Sequence, residues 1–105
     1  MRTLLIAPLA AVALLAAAPS PSPPPQYLDV VCRNTPLYVF QSGTDRPMRA
    51  RTPDATLGQR FGLVSGPRTT LDGFQFYETN IVVVEPGYPA NAHYWISRDC
   101  AIPGN

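Results

Sequence analysis

The chain lacks lysine altogether and has only one histidine and two cysteines, and each scarcity excludes a class of site. One histidine and two cysteines cannot supply the four ligands of a structural zinc site. Asp45, Asp54 and Asp72 do not follow the spacing of a calcium-binding loop. No glycine-rich phosphate loop and no Gly-x-Ser-x-Gly elbow occurs in the sequence. The sequence therefore predicts neither a bound metal ion nor a cofactor.

The charged residues also exclude a class of partner. With lysine absent, every basic side chain is an arginine, and beyond residue 18 the arginines are balanced by the acidic side chains. Domains that bind nucleic acid carry a basic excess on one face. We therefore expect no nucleic-acid partner.

Residues 1–18 have the composition of a secretory signal peptide. A basic start at Arg2 is followed by an apolar run that ends at Ala18. At about 15 residues this run is shorter than a membrane-spanning helix, so we expect no membrane span after removal of the signal. Pro19 directly follows the small residues of the cleavage site, so the sequence leaves open whether the signal is cleaved or retained as an anchor. The predicted location is secreted or extracytoplasmic.

Residues 19–26 form a Pro/Ser-rich linker, and residues 27–105 form one small domain. The linker favours extended polyproline II structure and cannot build a core. A domain this small buries only about 60% of its unfolded surface, so a covalent constraint adds much to its stability. Cys32 and Cys100 stand at opposite ends of the domain, and behind an export signal they are predicted to form a disulfide. Closing so long a loop stabilises the fold by about 4 kcal/mol.

Short runs of β-branched and aromatic residues, separated by Gly, Pro, Asn and Asp, predict an all-β domain. No sustained 3.6-residue apolar period follows residue 18. Strands are predicted at residues 27–33, 37–40, 59–64, 74–84 and 92–97, with a break or a bulge at Asn80 and a short 3₁₀ turn at residues 98–101. Turns are predicted at residues 65–73 and 85–91, and a long loop is predicted at residues 41–56. Five or six such strands indicate a small barrel or sandwich.

Four segments in this order resemble a bacterial SH3 (SH3b-like) domain. Thr35 to Gly43 looks like the opening LNVRSGP segment of that family, with Phe40 in the place of its arginine, and Thr56 to Phe61 is similar to the entry into its second long strand. Gly73 to Thr79 takes the place of the aromatic strand, and Tyr94 to Ser97 that of the closing strand. The resemblance implies an SH3-like barrel of five to six strands, here closed by one disulfide. It also implies binding without catalysis, often to peptidoglycan or to peptides.

The sequence offers no convincing catalytic group. His93 is the only histidine, and strand alternation places it with Trp95 and Ser97, opposite Tyr94 and Ile96. Ser97 lies about 13 Å along an extended strand from His93, too far for a direct hydrogen bond. No residue pattern places an acidic side chain beside His93. We therefore predict that the protein is not an enzyme.

Aromatic and arginine side chains are the candidate ligand-binding residues. Tyr38, Tyr77, Tyr88 and Trp95 are candidates to line a shallow groove, and core packing is the alternative role for each. Arg46, Arg49 and Arg51 form a basic group in the predicted long loop, with a solvated loop as the alternative reading. The predicted ligand-binding set is Tyr38, Arg49, Arg51, Tyr77 and Trp95.

The sequence thus favours an exported, non-catalytic binding module that recognises peptidoglycan or a peptide or protein ligand. The alternative is a small secreted inhibitor or effector that presents residues 41–56 to a partner protein. The sequence does not determine the oligomeric state.

Overall fold

The computed structural model describes residues 24–105, which form strands, turns and one short 3₁₀ helix. The predicted signal peptide and most of the predicted linker lie outside the described residues. The strands are β1 (Tyr27–Val30), β2 (Asn34–Thr35), β3 (Leu37–Phe40), β4 (Pro47–Arg49), β5 (Ala55–Thr56), β6 (Arg60–Thr69), β7 (Gln75–Val82), β8 (His93–Ser97) and β9 (Ala101–Gly104). The 3₁₀ helix spans Arg98–Cys100. None of the helical structure in residues 24–105 is long and apolar enough to cross a bilayer. The all-β prediction is confirmed.

Seven strands form one antiparallel sheet in the order β4-β3-β8-β7-β6-β1-β9, and β2 pairs with β5 in a separate ladder. Within residues 24–105, the outermost strands are β4, which pairs only with β3, and β9, which pairs only with β1. A barrel would require these two edges to pair with each other. The prediction of a closed barrel is therefore wrong. The number of strands was also underestimated, because the predicted loop contributes β4 and β5 and the C-terminal residues contribute β9.

Two places in the sequence where a turn or a break was predicted, Gly66-Pro67 and Asn80, lie inside strands, where the pairing is irregular but the chain does not reverse direction. Gly66 and Pro67 lie within β6, whose pairing with β7 shifts register on both sides of Ser65. Gly66 has φ 118°, and a Cβ atom there would lie 3.0 Å from the Phe76 carbonyl oxygen, so the close strand approach requires glycine. Asn80 lies within a continuous β7, whose register with β8 shifts between Glu78 and Val82. The bulge alternative at Asn80 is therefore the one observed.

The core lies on one face of the sheet, which we call the inner face. Leu37, Ile96 and Tyr77 stand opposite one another on β3, β8 and β7, and all three are buried. The full core cluster comprises Leu28, Val30, Leu37, Val39, Ala50, Ala55, Tyr77, Val83, Tyr94, Ile96 and Ala101. The buried Thr79 hydroxyl donates to the Tyr94 carbonyl oxygen at 2.8 Å, so the polar group on this face has a partner.

The disulfide between Cys32 and Cys100 is present, as predicted. Its Cα atoms are 5.0 Å apart, and the bridge spans 68 residues of sequence. It joins the chain just after β1 to the end of the 3₁₀ helix just before β9, where the Val31 amide also donates to the Cys100 carbonyl oxygen at 2.9 Å. A disulfide is compatible with an extracytoplasmic location.

Candidate ligand-binding face

Four aromatic side chains cluster on the face of the sheet opposite the core. Tyr38 and Phe40 lie on β3, Phe76 on β7 and Trp95 on β8, and strand alternation turns all four away from the inner face. Phe76 contacts Tyr38 and Phe40 edge-to-face, with ring centroids 5.1 Å and 5.8 Å apart, and Phe40 meets Trp95 at 5.2 Å. Phe76 is buried although it is not part of the core cluster. We call this surface the aromatic face.

Arg68 covers part of the aromatic face and fixes the loop beside it. Its guanidinium carbon lies 3.9 Å from the centroid of the Phe40 ring and 5.4 Å from that of Trp95. The same guanidinium donates to Asp45 Oδ1 at 3.3 Å, and Asp45 Oδ2 accepts from the Leu71 amide at 2.9 Å. These bonds tie the β3–β4 loop to the β6–β7 turn, so this part of the predicted long loop is held against the domain.

A groove of about 480 Å³ opens beside the aromatic face. Tyr38, Pro47, Phe74 and Phe76 supply its apolar walls, and Phe74 is 62% exposed. The remaining lining residues are Arg46, Thr70, Asp72, Ser97 and Asp99. We call this depression the Tyr38–Phe74 groove. Its size falls within the range of small-molecule and peptide pockets.

The backbone that carries Phe74 is held in a hydrogen-bonded turn. The Thr70 amide donates to the Phe74 carbonyl oxygen at 2.8 Å, and the Phe74 amide donates to Thr70 Oγ1 at 3.2 Å. Gly73 adopts φ 88°, a conformation that favours glycine, and its amide donates to the Thr70 carbonyl oxygen. Phe74 therefore presents an exposed aromatic ring on a fixed backbone.

A smaller, polar depression of about 190 Å³ lies along the other side of Trp95 and contains His93. His93 Nδ1 lies 2.9 Å from Glu78 Oε2, and Glu78 Oε1 accepts from the Ser65 hydroxyl at 2.7 Å. Glu78 is thus the acidic partner of His93 that the sequence alone did not place. The carboxylate stands between the serine and the histidine, whereas a serine nucleophile requires the imidazole in contact with its hydroxyl. This cluster therefore orients His93 without activating Ser65.

The predicted ligand-binding residues fall in different parts of the domain. Tyr38 lines the Tyr38–Phe74 groove, and Trp95 lies on the aromatic face and lines the polar depression. Tyr77 faces the core and is only 7% exposed, so its side chain is not available at the surface. Its alternative role in core packing is the observed one. Tyr88 lines the polar depression.

Arg49 and Arg51 do not line the groove. Both border another depression of about 190 Å³, together with Met48, Glu85, Pro86 and Tyr88. Arg49 lies on β4 and donates to Asp54 at 3.1 Å, while the Arg51 amide donates to Glu85 Oε1 at 3.0 Å. Of the arginines predicted in the long loop, Arg49 therefore lies on a strand of the sheet, and Arg51 is held through its backbone amide.

Glu85 also anchors the core tyrosine on β8. The Tyr94 hydroxyl donates to Glu85 Oε2 at 3.1 Å. Burial raises the pKa of Tyr94 above its ordinary value, and the Glu85 carboxylate acts in the same direction. On β1, hydrogen bonds from Arg60 lower the pKa of Asp29. Neither shifted group lines the Tyr38–Phe74 groove.

Several residues of the aromatic face were not identified from the sequence. Phe40, Asp72, Phe74 and Glu78 belong to it or border it. For Phe74 and Glu78 the available signal was the alternation along residues 74–79, which sets Phe74, Phe76 and Glu78 against Gln75, Tyr77 and Thr79. Within residues 24–105, no three side chains of His, Cys, Asp or Glu gather to form a metal site. No family model, curated protein or solved structure matches this chain. The resemblance to bacterial SH3 domains therefore rests on the short sequence segments alone.

Proposed function

We propose that this protein is an exported binding module of the cell envelope or extracellular space. Its Tyr38–Phe74 groove binds a peptide, supplied either by the peptide part of peptidoglycan or by a segment of another protein, and leaves it chemically unchanged. The observation that carries the proposal is the exposed Phe74 ring on a fixed turn, beside a groove of about 480 Å³ with aromatic walls. Rigid aromatic side chains give contact area at little cost in conformational entropy.

The resemblance to bacterial SH3 domains supports the same proposal. The segments that carry the resemblance include β3, β7 and β8, which are neighbours in the sheet and supply the whole aromatic cluster. The open edges of the sheet differ from a closed SH3-like barrel. The resemblance thus supports a binding function, and the geometry of the aromatic side chains supports the position of the binding site.

Export and the absence of catalysis are parts of this proposal. The signal-like residues 1–18 and the Cys32–Cys100 disulfide support export. The position of Glu78 between Ser65 and His93 supports binding in preference to nucleophilic catalysis.

The inhibitor or effector role remains a prediction, and the structure gives it no specific support. Within residues 41–56, β4 pairs with β3, and the Ala50 amide donates to the Leu37 carbonyl oxygen at 2.8 Å. Asp45 and Arg49 make further contacts to the domain or within the segment. A segment held in this way is part of the scaffold that forms the groove.

A binding experiment with two ligand sources tests the proposed function. The protein, with its disulfide intact, is incubated with purified peptidoglycan in one arm and with an array of immobilised peptides in the other. Phe74→Ala is compared with Val84→Ala, which removes an even more exposed apolar side chain (83% exposed, against 62% for Phe74) that does not line the groove. We expect Phe74→Ala to weaken binding about tenfold or more, and Val84→Ala to leave it unchanged.

The two arms also identify the source of the peptide. Binding to peptidoglycan alone assigns the module to the cell wall, and binding to peptides alone assigns it to a protein partner. If Phe74→Ala and the parent protein bind equally well in both arms, the groove is not the binding site. Turnover of either ligand would overturn the non-catalytic part of the proposal.

A further inference from the structure

The two acidic side chains at the Tyr38–Phe74 groove differ from all the others in the chain. All seven acidic residues lie within the described residues, and five of them are engaged: Asp29 with Arg60, Asp45 with Arg68, Asp54 with Arg49, Glu78 with His93, and Glu85 with Tyr94. The remaining two, Asp72 and Asp99, have no ion-pair partner within residues 24–105. Both line the groove, and both are exposed.

Each of these carboxylates is attached to a constrained piece of backbone. Asp72 lies in the hydrogen-bonded turn that precedes Phe74, and the amide of the preceding residue, Leu71, donates to Asp45. Asp99 lies in the 3₁₀ helix next to the bridged Cys100, and its amide donates to Ser97 Oγ at 3.2 Å. The groove therefore combines fixed aromatic walls with two fixed acidic positions. Preorganised groups of this kind lose little entropy when a ligand binds.

A groove that combines aromatic rings with carboxylates favours a ligand with a long cationic side chain. The methylene groups of a lysine or arginine pack on aromatic rings, its cation is attracted to the ring faces, and its charge pairs with carboxylates. Among residues 24–105, Arg46 is the only cationic side chain that lines the groove, so two carboxylates there oppose one guanidinium. The charge of the groove therefore complements a cationic ligand, and Arg46 opposes such a ligand by repulsion.

We propose that the Tyr38–Phe74 groove takes an extended peptide through a lysine or arginine side chain. The aliphatic part of that side chain packs against Tyr38 and Phe74, and its charged end meets Asp72 and Asp99. The groove volume of about 480 Å³ also leaves room for apolar neighbours of the cationic residue. This inference rests on the proposed function and adds the chemical class of the ligand.

The test uses fluorescein-labelled octapeptide pools with acetylated and amidated ends. One pool has a fixed lysine or arginine at the centre, surrounded by mixed apolar and small residues, and two matched pools have glutamine or glutamate there. Fluorescence polarisation measures binding to the protein expressed from the full 105-residue sequence with its disulfide intact. We expect the cationic pool to bind at least about fivefold more tightly than the glutamine pool, and the glutamate pool to bind most weakly.

Charge variants assign the effect to the groove. The double variant Asp72→Asn/Asp99→Asn should bind the cationic pool about fivefold to tenfold more weakly and should lose most of the salt dependence of binding. Asp29→Asn, which makes the same type of charge change on β1 outside the groove, should bind like the parent. Arg46→Gln should bind the cationic pool about twofold to threefold more tightly, because it removes the like charge.

The outcomes separate this inference from the proposed function. Binding that depends on Phe74 but shows no preference among the three pools would overturn the proposal of a cationic ligand and leave the groove as the binding site. Binding that depends on Phe74 but is unaffected by the aspartate variants would have the same meaning. The same conclusion follows if binding to peptidoglycan depends on Phe74 and persists after acetylation of the free amines in the peptidoglycan. Loss of cationic-pool binding in Asp72→Asn/Asp99→Asn, with retention in Asp29→Asn, supports the inference.

Discussion

The two faces of the seven-stranded sheet use the same strands for different purposes. On β8, Tyr94 and Ile96 are almost completely buried in the inner face, while Trp95 between them is half-buried on the aromatic face. The inner face is packed with aliphatic side chains and with Tyr77 and Tyr94, whereas the aromatic face leaves ring edges and a groove in contact with solvent. Because side chains alternate along a strand, residues of the core and residues of the aromatic face occupy neighbouring positions in the sequence. Substitutions one residue apart should therefore have different consequences.

The largest effect should come from the disulfide, on which both faces depend. Replacing Cys32 and Cys100 by serine should lower the free energy of unfolding by about 4 kcal/mol, because the unfolded chain gains the freedom of the opened loop. Urea unfolding of the double variant measures this loss. Reduction of the parent protein serves as the matched control and should reproduce most of it. A change below about 1 kcal/mol would mean that the bridge contributes little to the stability of either face.

A pair of neighbouring substitutions on β8 compares the two faces directly. Ile96→Ala removes a fully buried side chain and should cost about 3 kcal/mol of stability. Trp95→Ala removes a half-buried side chain and should cost about 1 to 2 kcal/mol, because part of its surface is already exposed. Thermal or urea unfolding measures both values. Equal costs would show that the aromatic face is as important to stability as the core.

The smallest effect concerns pH, and its sign follows from the buried Tyr94. The native pKa of Tyr94 lies above the unfolded value of about 10. At pH values between the two, the Tyr94 hydroxyl is therefore still protonated in the native state and already ionised in the unfolded state. Stability should therefore be unaffected by this group below pH 10 and should fall as the pH rises above that value. Tyr94→Phe should remove this part of the alkaline loss. Unfolding measured between about pH 9 and 11 compares the two proteins, and identical profiles would contradict the prediction.

Local patterns in the sequence were sufficient to predict the two faces. The strand at Leu37–Phe40 has the predicted bounds, and the predicted separation of His93 and Trp95 from Tyr94 and Ile96 is confirmed by burial. Both results depend only on residue type and a period of two. The disulfide was also predictable, because a signal-like N-terminus and an even number of cysteines leave few alternatives.

Long-range pairing could not be predicted in the same way. Arg49 was assigned to a long loop because nothing nearby in the sequence indicates that β4 pairs with β3. The contact between Glu78 and His93 depends on the register that pairs Glu78 with Trp95, two residues beyond His93, and the exposure of Phe74 depends on a turn stabilised by Thr70. Tyr77 was assigned to a groove because an aromatic residue suits a core or a groove equally well from sequence alone. Register and burial decide such cases, and both depend on the whole fold.

The two edge strands of the open sheet each contain a proline, Pro47 on β4 and Pro103 on β9. An unpaired strand edge is a template on which a second molecule can add a strand, and proline removes the amide hydrogen that such pairing requires. The same residues limit self-association at both ends of the sheet. A sheet with two open edges thus carries a barrier to edge-to-edge strand pairing at each of them.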